Sequence, residues 1–142
     1  MSTERQPGGT ASSSHEPPPD MQKRILIVDD EEGLRSLCAT FLQRRGYDVV
    51  TCPDGAAAWA QLNSTQGSFD LLITDNEMPL LGGAQLIDRV RAGRHPIRIL
   101  SISGSQAAAK DPFPAAKVDA ILPKPFTIQE LGSAVKALLP NS

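Results

Sequence analysis

Five apolar-rich runs, Ile25–Val28, Tyr47–Cys52, Phe69–Thr74, Ile97–Ser103 and Val118–Leu122, are separated by stretches in which apolar residues recur every three or four positions. The first run, Ile-Leu-Ile-Val, has no polar face, so its strand has to be covered on both sides. Strands of this kind alternating with helices predict a parallel sheet flanked by helices on both faces, and right-handed crossovers leave few topologies open. Leu34, Leu37, Cys38, Phe41 and Leu42 form the expected core stripe of the first helix, and Gly46 behind Arg44 and Arg45 marks its end. Asp54 is placed to cap an alanine-rich helix carrying Leu62 and Trp59, the latter read as a core anchor. Leu86, Ile87 and Val90 mark a third helix, and a short alanine-rich stretch follows the fourth strand. Thr127-Ile128-Gln129-Glu130 is a capping box with Phe126 as its hydrophobic staple, and it opens a fifth helical segment with a face of Ile128, Leu131, Val135, Leu138 and Leu139.

Met1 to Asp20 is rich in Ser, Pro, Gly and Thr and nearly devoid of apolar residues, so it is expected to be a disordered tail, with His15 idle in it. Residues 21–142 are expected to form one domain, and no second domain or internal repeat is visible. A formal charge of -2 without clustered Lys or Arg argues against a nucleic-acid surface. Cys38 and Cys52 lack metal-ligand spacing and are read as buried free thiols. No apolar run is long enough to cross a bilayer and no secretory signal opens the chain, so a cytoplasmic protein is expected.

In open sheets of this type ligands bind beyond the carboxyl ends of the strands. Those ends carry Asp29 and Asp30, then Asp75, then Ser103, while the last strand runs into Lys124. Each alone reads as a turn former or a solvated charge. Three acids crowded at one edge repel one another unless a hard dication neutralises them, and magnesium suits oxygen ligands and waters. An Asp beside a cation can attack a phosphoryl group when the metal, a Lys and hydrogen-bond donors balance the charge on the phosphoryl oxygens. Lys124 and Ser103 would supply the last two.

The segments ILIVDDEE, LLITDNEMP with Gly83 four residues beyond Pro79, SISGS and LPKPF give residues 21–140 a resemblance to the receiver domain of two-component response regulators. The resemblance implies a flavodoxin-like, doubly wound five-stranded sheet of order 2-1-3-4-5. It implies that Asp75 is the phosphoacceptor, that Asp30 binds magnesium directly with Asp29 assisting, and that the Glu77 backbone carbonyl completes the protein ligands. It further implies that Ser103 and Lys124 engage the phosphoryl oxygens and that the Lys124–Pro125 bond is cis. The expected phosphodonor is a histidine kinase or histidine phosphotransfer protein. The expected output is a protein contact through the face of the fourth helical segment, fifth strand and last helix. No nucleic-acid or membrane partner is expected, nor any enzymatic activity beyond self-phosphorylation and self-dephosphorylation.

Two departures stand out. Ile121 occupies the position where many family members place a switching Tyr or Phe, and its branched side chain cannot copy that motion. Pro112 and Pro114 interrupt the fourth helical segment, which is expected to be short or displaced, so that residues 104–117 become the mobile element of the switch. Glu77 and Ser105 are expected to tune the lifetime of the phosphorylated state. An aspartate-nucleophile phosphatase would use Asp29 as nucleophile with Glu31 in the second acidic position, but its further acidic pair after the Lys is absent and Asp75 would have no role. A receiver-like adaptor that is never phosphorylated is the other alternative, and the presence of every acid and the Lys speaks against it.

Overall fold

The computed structural model describes residues 22–64, 68–75, 83–93, 96–103 and 118–140. Within them the order is β1 (Arg24–Val28), α1 (Glu32–Arg44), β2 (Asp48–Cys52), α2 (Gly55–Leu62), β3 (Leu71–Asp75), α3 (Gly83–Ala92), β4 (Arg98–Ser103), β5 (Ala120–Pro123) and α4 (Ile128–Leu138). All pairings are parallel, as the sequence pattern predicts, and the strand order is β2-β1-β3-β4-β5, as the family resemblance implies. The expected tail, the fourth helical segment between Ser103 and Val118, and Glu77, Pro79 and Ser105 lie outside the described residues. The fifth helical segment of the sequence is therefore α4 here.

The apolar strands divide their side chains between two cores. Ile25, Ile27, Leu71, Ile73, Leu100, Ile102 and Leu122 pack on one face with Cys38 and Leu42 of α1 and Leu131 and Val135 of α4. Leu26, Val28, Leu72 and Ile99 face the other way, against Ala58 and Leu62 of α2 and Leu86, Ile87 and Val90 of α3. This burial on both faces explains why β1 from Ile25 onward and β3 up to Ile73 carry no polar residue.

The helix ends follow local chemistry. Past α1, Gly46 adopts φ 96°, its N–H donates to Gln43 O at 3.0 Å and the Tyr47 N–H donates to Leu42 O at 3.2 Å, the paired bonds of a Schellman turn. Asp54 Oδ1 accepts from the Ala57 N–H at 2.8 Å and caps α2. Thr127 and Glu130 exchange both bonds of the capping box at the start of α4, and Phe126 packs against the core that holds Leu131. Gly132 lets α4 approach α1, since a Cβ there would sit 3.0 Å from the Phe41 ring. The Lys124–Pro125 bond is cis.

Several expectations need correction. Leu37 is 57% exposed and does not join the core stripe of α1. Trp59 is only partly buried, at the margin of the second core, with the Arg89 guanidinium 5.9 Å from its ring centre. β5 begins at Ala120 rather than Val118, because Asp119 has another task. Its Oδ2 accepts from the buried Ile99 N–H at 2.7 Å and from Arg91 Nη2 at 3.1 Å, and Arg98 lies 3.6 Å from its Oδ1. Asp119 thus joins α3, β4 and the start of β5.

Replacing Asp119 by Ala leaves the Ile99 N–H without its acceptor and is expected to cost about 1–3 kcal/mol of stability. The Asn variant, which keeps an acceptor, should lose less. Urea unfolding reads both, and a midpoint unchanged by Asp119→Ala contradicts the assigned role.

Candidate functional site

Parallel register places the functional side chains at one edge. Val28 pairs with Thr74 and Asp75 with Ile102, so the residue after β1 and the last residue of β3 emerge side by side, with Ser103 one step beyond on β4. Asp29 and Asp75 are 3% and 5% exposed, whereas Asp30 faces solvent. One carboxylate oxygen from each of Asp29, Asp30 and Asp75 lies within 4.8 Å of the others. Lys124 Nζ donates to Asp75 Oδ2 at 3.0 Å. The Lys124 backbone N–H donates to Ser103 O at 2.8 Å, which ties the amine to the end of β4. Ser103 Oγ is buried and has no hydrogen-bond partner among the described residues.

The loop after β1 is held by backbone bonds. The Asp29 N–H donates to Cys52 O at 3.2 Å, Asp29 Oδ1 accepts from the Glu31 N–H at 2.8 Å, and Arg35 Nη1 donates to Asp29 O at 2.6 Å. Sequence reading missed Arg35. A cation one turn inside a helix N-terminus opposes the helix dipole, and that misplacement was the available signal.

Burial raises the Asp29 carboxyl above its ordinary value. The neighbouring Asp75 and Asp30 charges add to this, and the Glu31 N–H and the Lys124 ammonium oppose it. Burial alone would depress the Lys124 ammonium, but the hydrogen bond to Asp75 and the charges of Asp75, Asp29 and Glu31 outweigh it and raise it. Burial pushes the thiols of Cys38 and Cys52 up to about 11, with help from Asp29 and Asp54 respectively, so both stay protonated at neutral pH. They are free and buried, as expected.

Hard oxygen donors, two of them buried and already in electrostatic conflict, fit a small divalent cation. The expected site residues Asp29, Asp30, Asp75 and Lys124 are brought together, with Ser103 beside them at the end of β4. Glu77 lies outside the described residues.

The family model for the response regulator receiver domain matches residues 25–136. The chain belongs to this family. Receivers are phosphorylatable signalling modules that take their phosphoryl group from histidine kinases or phosphotransfer proteins. This receiver is 33% identical to the response regulator receiver protein CpdR of Brucella abortus over 78% of its own length and 92% of CpdR. It is 31% identical to the sensor kinase CckA of the same organism, of which it spans only 12%. The structure of the response regulator TrrA from Thermotoga maritima, solved in complex with Mg(2+)-BeF, is 31% identical and matches with a TM-score of 0.72, over 82% of this chain and 99% of that one. No helix among the described residues is long and apolar enough to cross a membrane.

The raised Asp29 carboxyl has a consequence for stability. A carboxyl with a higher pKa folded than unfolded binds more protons in the folded state, so in metal-free protein the contribution of Asp29 to stability rises as pH falls from neutral through that raised value. Asp29→Asn keeps the Oδ1 acceptor for the Glu31 N–H and removes the charge. Metal-free Asp29→Asn is expected to melt a few degrees above wild type at neutral pH. The difference should vanish below the ordinary carboxylate range, and a variant that melts lower than wild type at neutral pH overturns the account.

Proposed function

We propose that Asp75 accepts a phosphoryl group from a phosphohistidine on a histidine kinase or phosphotransfer protein, with magnesium at the acidic cluster. The observation that carries this reading is the Lys124 Nζ to Asp75 Oδ2 contact of 3.0 Å beside a cluster of three carboxylates. An Asp75 oxygen forms the new bond to phosphorus as the bond to the donor imidazole nitrogen breaks, and the electron pair of that bond stays on the imidazole. Lys124, already at Asp75, balances charge on the phosphoryl oxygens. Ser103 offers its hydroxyl to one of them, and its buried Oγ, without a partner among the described residues, supports that role, since such a group costs about 1–3 kcal/mol until it is paired. Asp30 and Asp29, with the backbone carbonyl of Glu77, are the proposed protein ligands of the cation. Bound magnesium would neutralise the acids and the phosphoryl charge, and the Mg(2+)-BeF complex of TrrA supports that choice of metal.

The output is proposed to be a phosphorylation-dependent protein contact through the face that includes β5 and α4, where Ile121 is 46% exposed. The net charge of -2 supports a protein rather than a nucleic-acid target. The chain is proposed to act in the cytoplasm, with no turnover other than its own phosphorylation and dephosphorylation.

Labelling with a small phosphodonor and magnesium tests the assignment. The product should be labile in acid and in base and cleaved by hydroxylamine in the manner of an acyl phosphate, and Asp75→Asn should abolish labelling while the fold survives. Undiminished labelling of that variant, mapped to Asp29 or Asp30, removes Asp75 from the role. Lys124→Ala should lower the labelling rate by about 10²-fold or more. Its magnesium affinity should hold or rise, because a competing cation has gone. Much weaker magnesium binding in Lys124→Ala contradicts this division of labour.

A further inference from the structure

Arg35 is not one of the acids, hydroxyls or amines assigned above, yet its guanidinium makes the shortest bond in the loop that carries two of them. Its Nη1 donates to Asp29 O at 2.6 Å, the length of a charge-assisted bond, while its own backbone N–H donates to Glu31 O at 3.0 Å in the first turn of α1. The same residue therefore grips the loop at both of its ends. Between those ends the Asp29 carboxylate turns back onto the Glu31 N–H at 2.8 Å, and the Asp29 N–H extends the β1–β2 pairing to Cys52 O. The guanidinium charge also lowers the Cys52 thiol against the larger effect of burial, so the end of β2 is within its electrostatic reach. A cation near a helix N-terminus is disfavoured by the helix dipole, and half-burying an arginine there requires compensation. The Asp29 carbonyl and the negative cluster beyond it provide it.

We infer that Arg35 is a positioning residue, a latch that holds the Asp29–Glu31 loop so that Asp29 and Asp30 keep their oxygens converged on the cation. This rests on the reading of Asp29 and Asp30 as metal ligands. Charge and latch have opposite consequences for metal affinity. If Arg35 acted only as a positive charge near the acids, removing it would tighten binding of a dication. As a latch its removal loosens the loop, the acids relax apart under their mutual repulsion, and affinity falls, as it does when outer partners of metal ligands are lost.

Arg35→Met keeps length and helix-forming tendency without donor or charge, and Arg35→Lys keeps charge and a donor on a flexible stem. Two measurements on the full chain separate the possibilities. In metal-free protein the Glu31 amide should exchange with solvent about tenfold faster in Arg35→Met, while amides of β1 and β3 keep their protection. In a magnesium titration followed by amide shifts, Arg35→Met should bind about tenfold more weakly, and Arg35→Lys should recover most of the loss. An Arg35→Met variant that binds magnesium equally or more tightly, or whose Glu31 amide exchanges as in wild type, overturns the latch. Loss of protection throughout the sheet in both variants also overturns it, because Arg35 would then support the whole fold. Failure of wild type itself to bind magnesium removes the metal-site reading, and the exchange of the Glu31 amide still judges the latch.

Discussion

Three carboxylates within 4.8 Å of one another are an electrostatic conflict, and much of the surrounding structure answers to it. Two of the three are buried, where water cannot screen them, and Asp29 shows the strain as a carboxyl raised by desolvation and by its neighbours. The fold could relieve this by letting the acids separate. It does not, because β1 and β3 are packed on both faces and in register, and the acids leave the sheet from fixed points. Relief comes instead from Lys124 on Asp75 and from the Glu31 N–H on Asp29, and a cation, which the cluster is suited to hold, would add to it. A folded state strained by unneutralised acids is also the state in which binding a cation would contribute most.

The sheet was legible because buried parallel strands leave an unmistakable trace. Ile25–Val28 and Leu71–Thr74 carry almost no polar side chains, and the first acid after each run, itself buried, marks the end of the apolar run. Asp29, Asp75, Ser103 and Lys124 could be picked out because each stands where a strand ends, and position along a strand fixes position at the sheet edge. Periodicity was less able to say how wide the apolar stripe of α1 is. Leu37 recurs at helical spacing with Leu34 and Phe41 but points to water, since a helix in contact with one sheet face and one neighbouring helix buries only part of its circumference. Trp59 misled for a related reason, as a large ring at the rim of a core reads in sequence like one at its centre.

The roles of Arg35 and Asp119 escaped the sequence reading for a different reason. Each satisfies a backbone group, the Asp29 carbonyl in one case and the Ile99 N–H in the other. A side-chain pattern carries no record of which backbone groups fall beyond the reach of the ladder, so these partners appear only once the chain is folded. Asp119 even displaces the start of β5 by two residues from where apolar content alone would put it, because its carboxylate serves β4 from the approach to the strand.

The pairing of β4 with β5 bears on how a change at Asp75 could travel. Ser103 pairs with Pro123 and Ser101 with Ile121, and the Lys124 N–H donates to Ser103 O at 2.8 Å. The two residues proposed to grip the phosphoryl oxygens are therefore joined through their backbones, and a shift of one bears on the other. A receiver with a Tyr or Phe in the place of Ile121 can register such a shift by turning a ring inward. Ile121 is exposed and stiff at χ1, so its side chain offers no comparable second position. On the proposed reading, displacement at Ser103 and Lys124 passes to the rest of the molecule as movement of backbone at the ends of β4 and β5. The carboxyl end of β5 leads through Phe126, packed on the core, to the capping box that starts α4, so a shift at Lys124 bears directly on how that helix is seated.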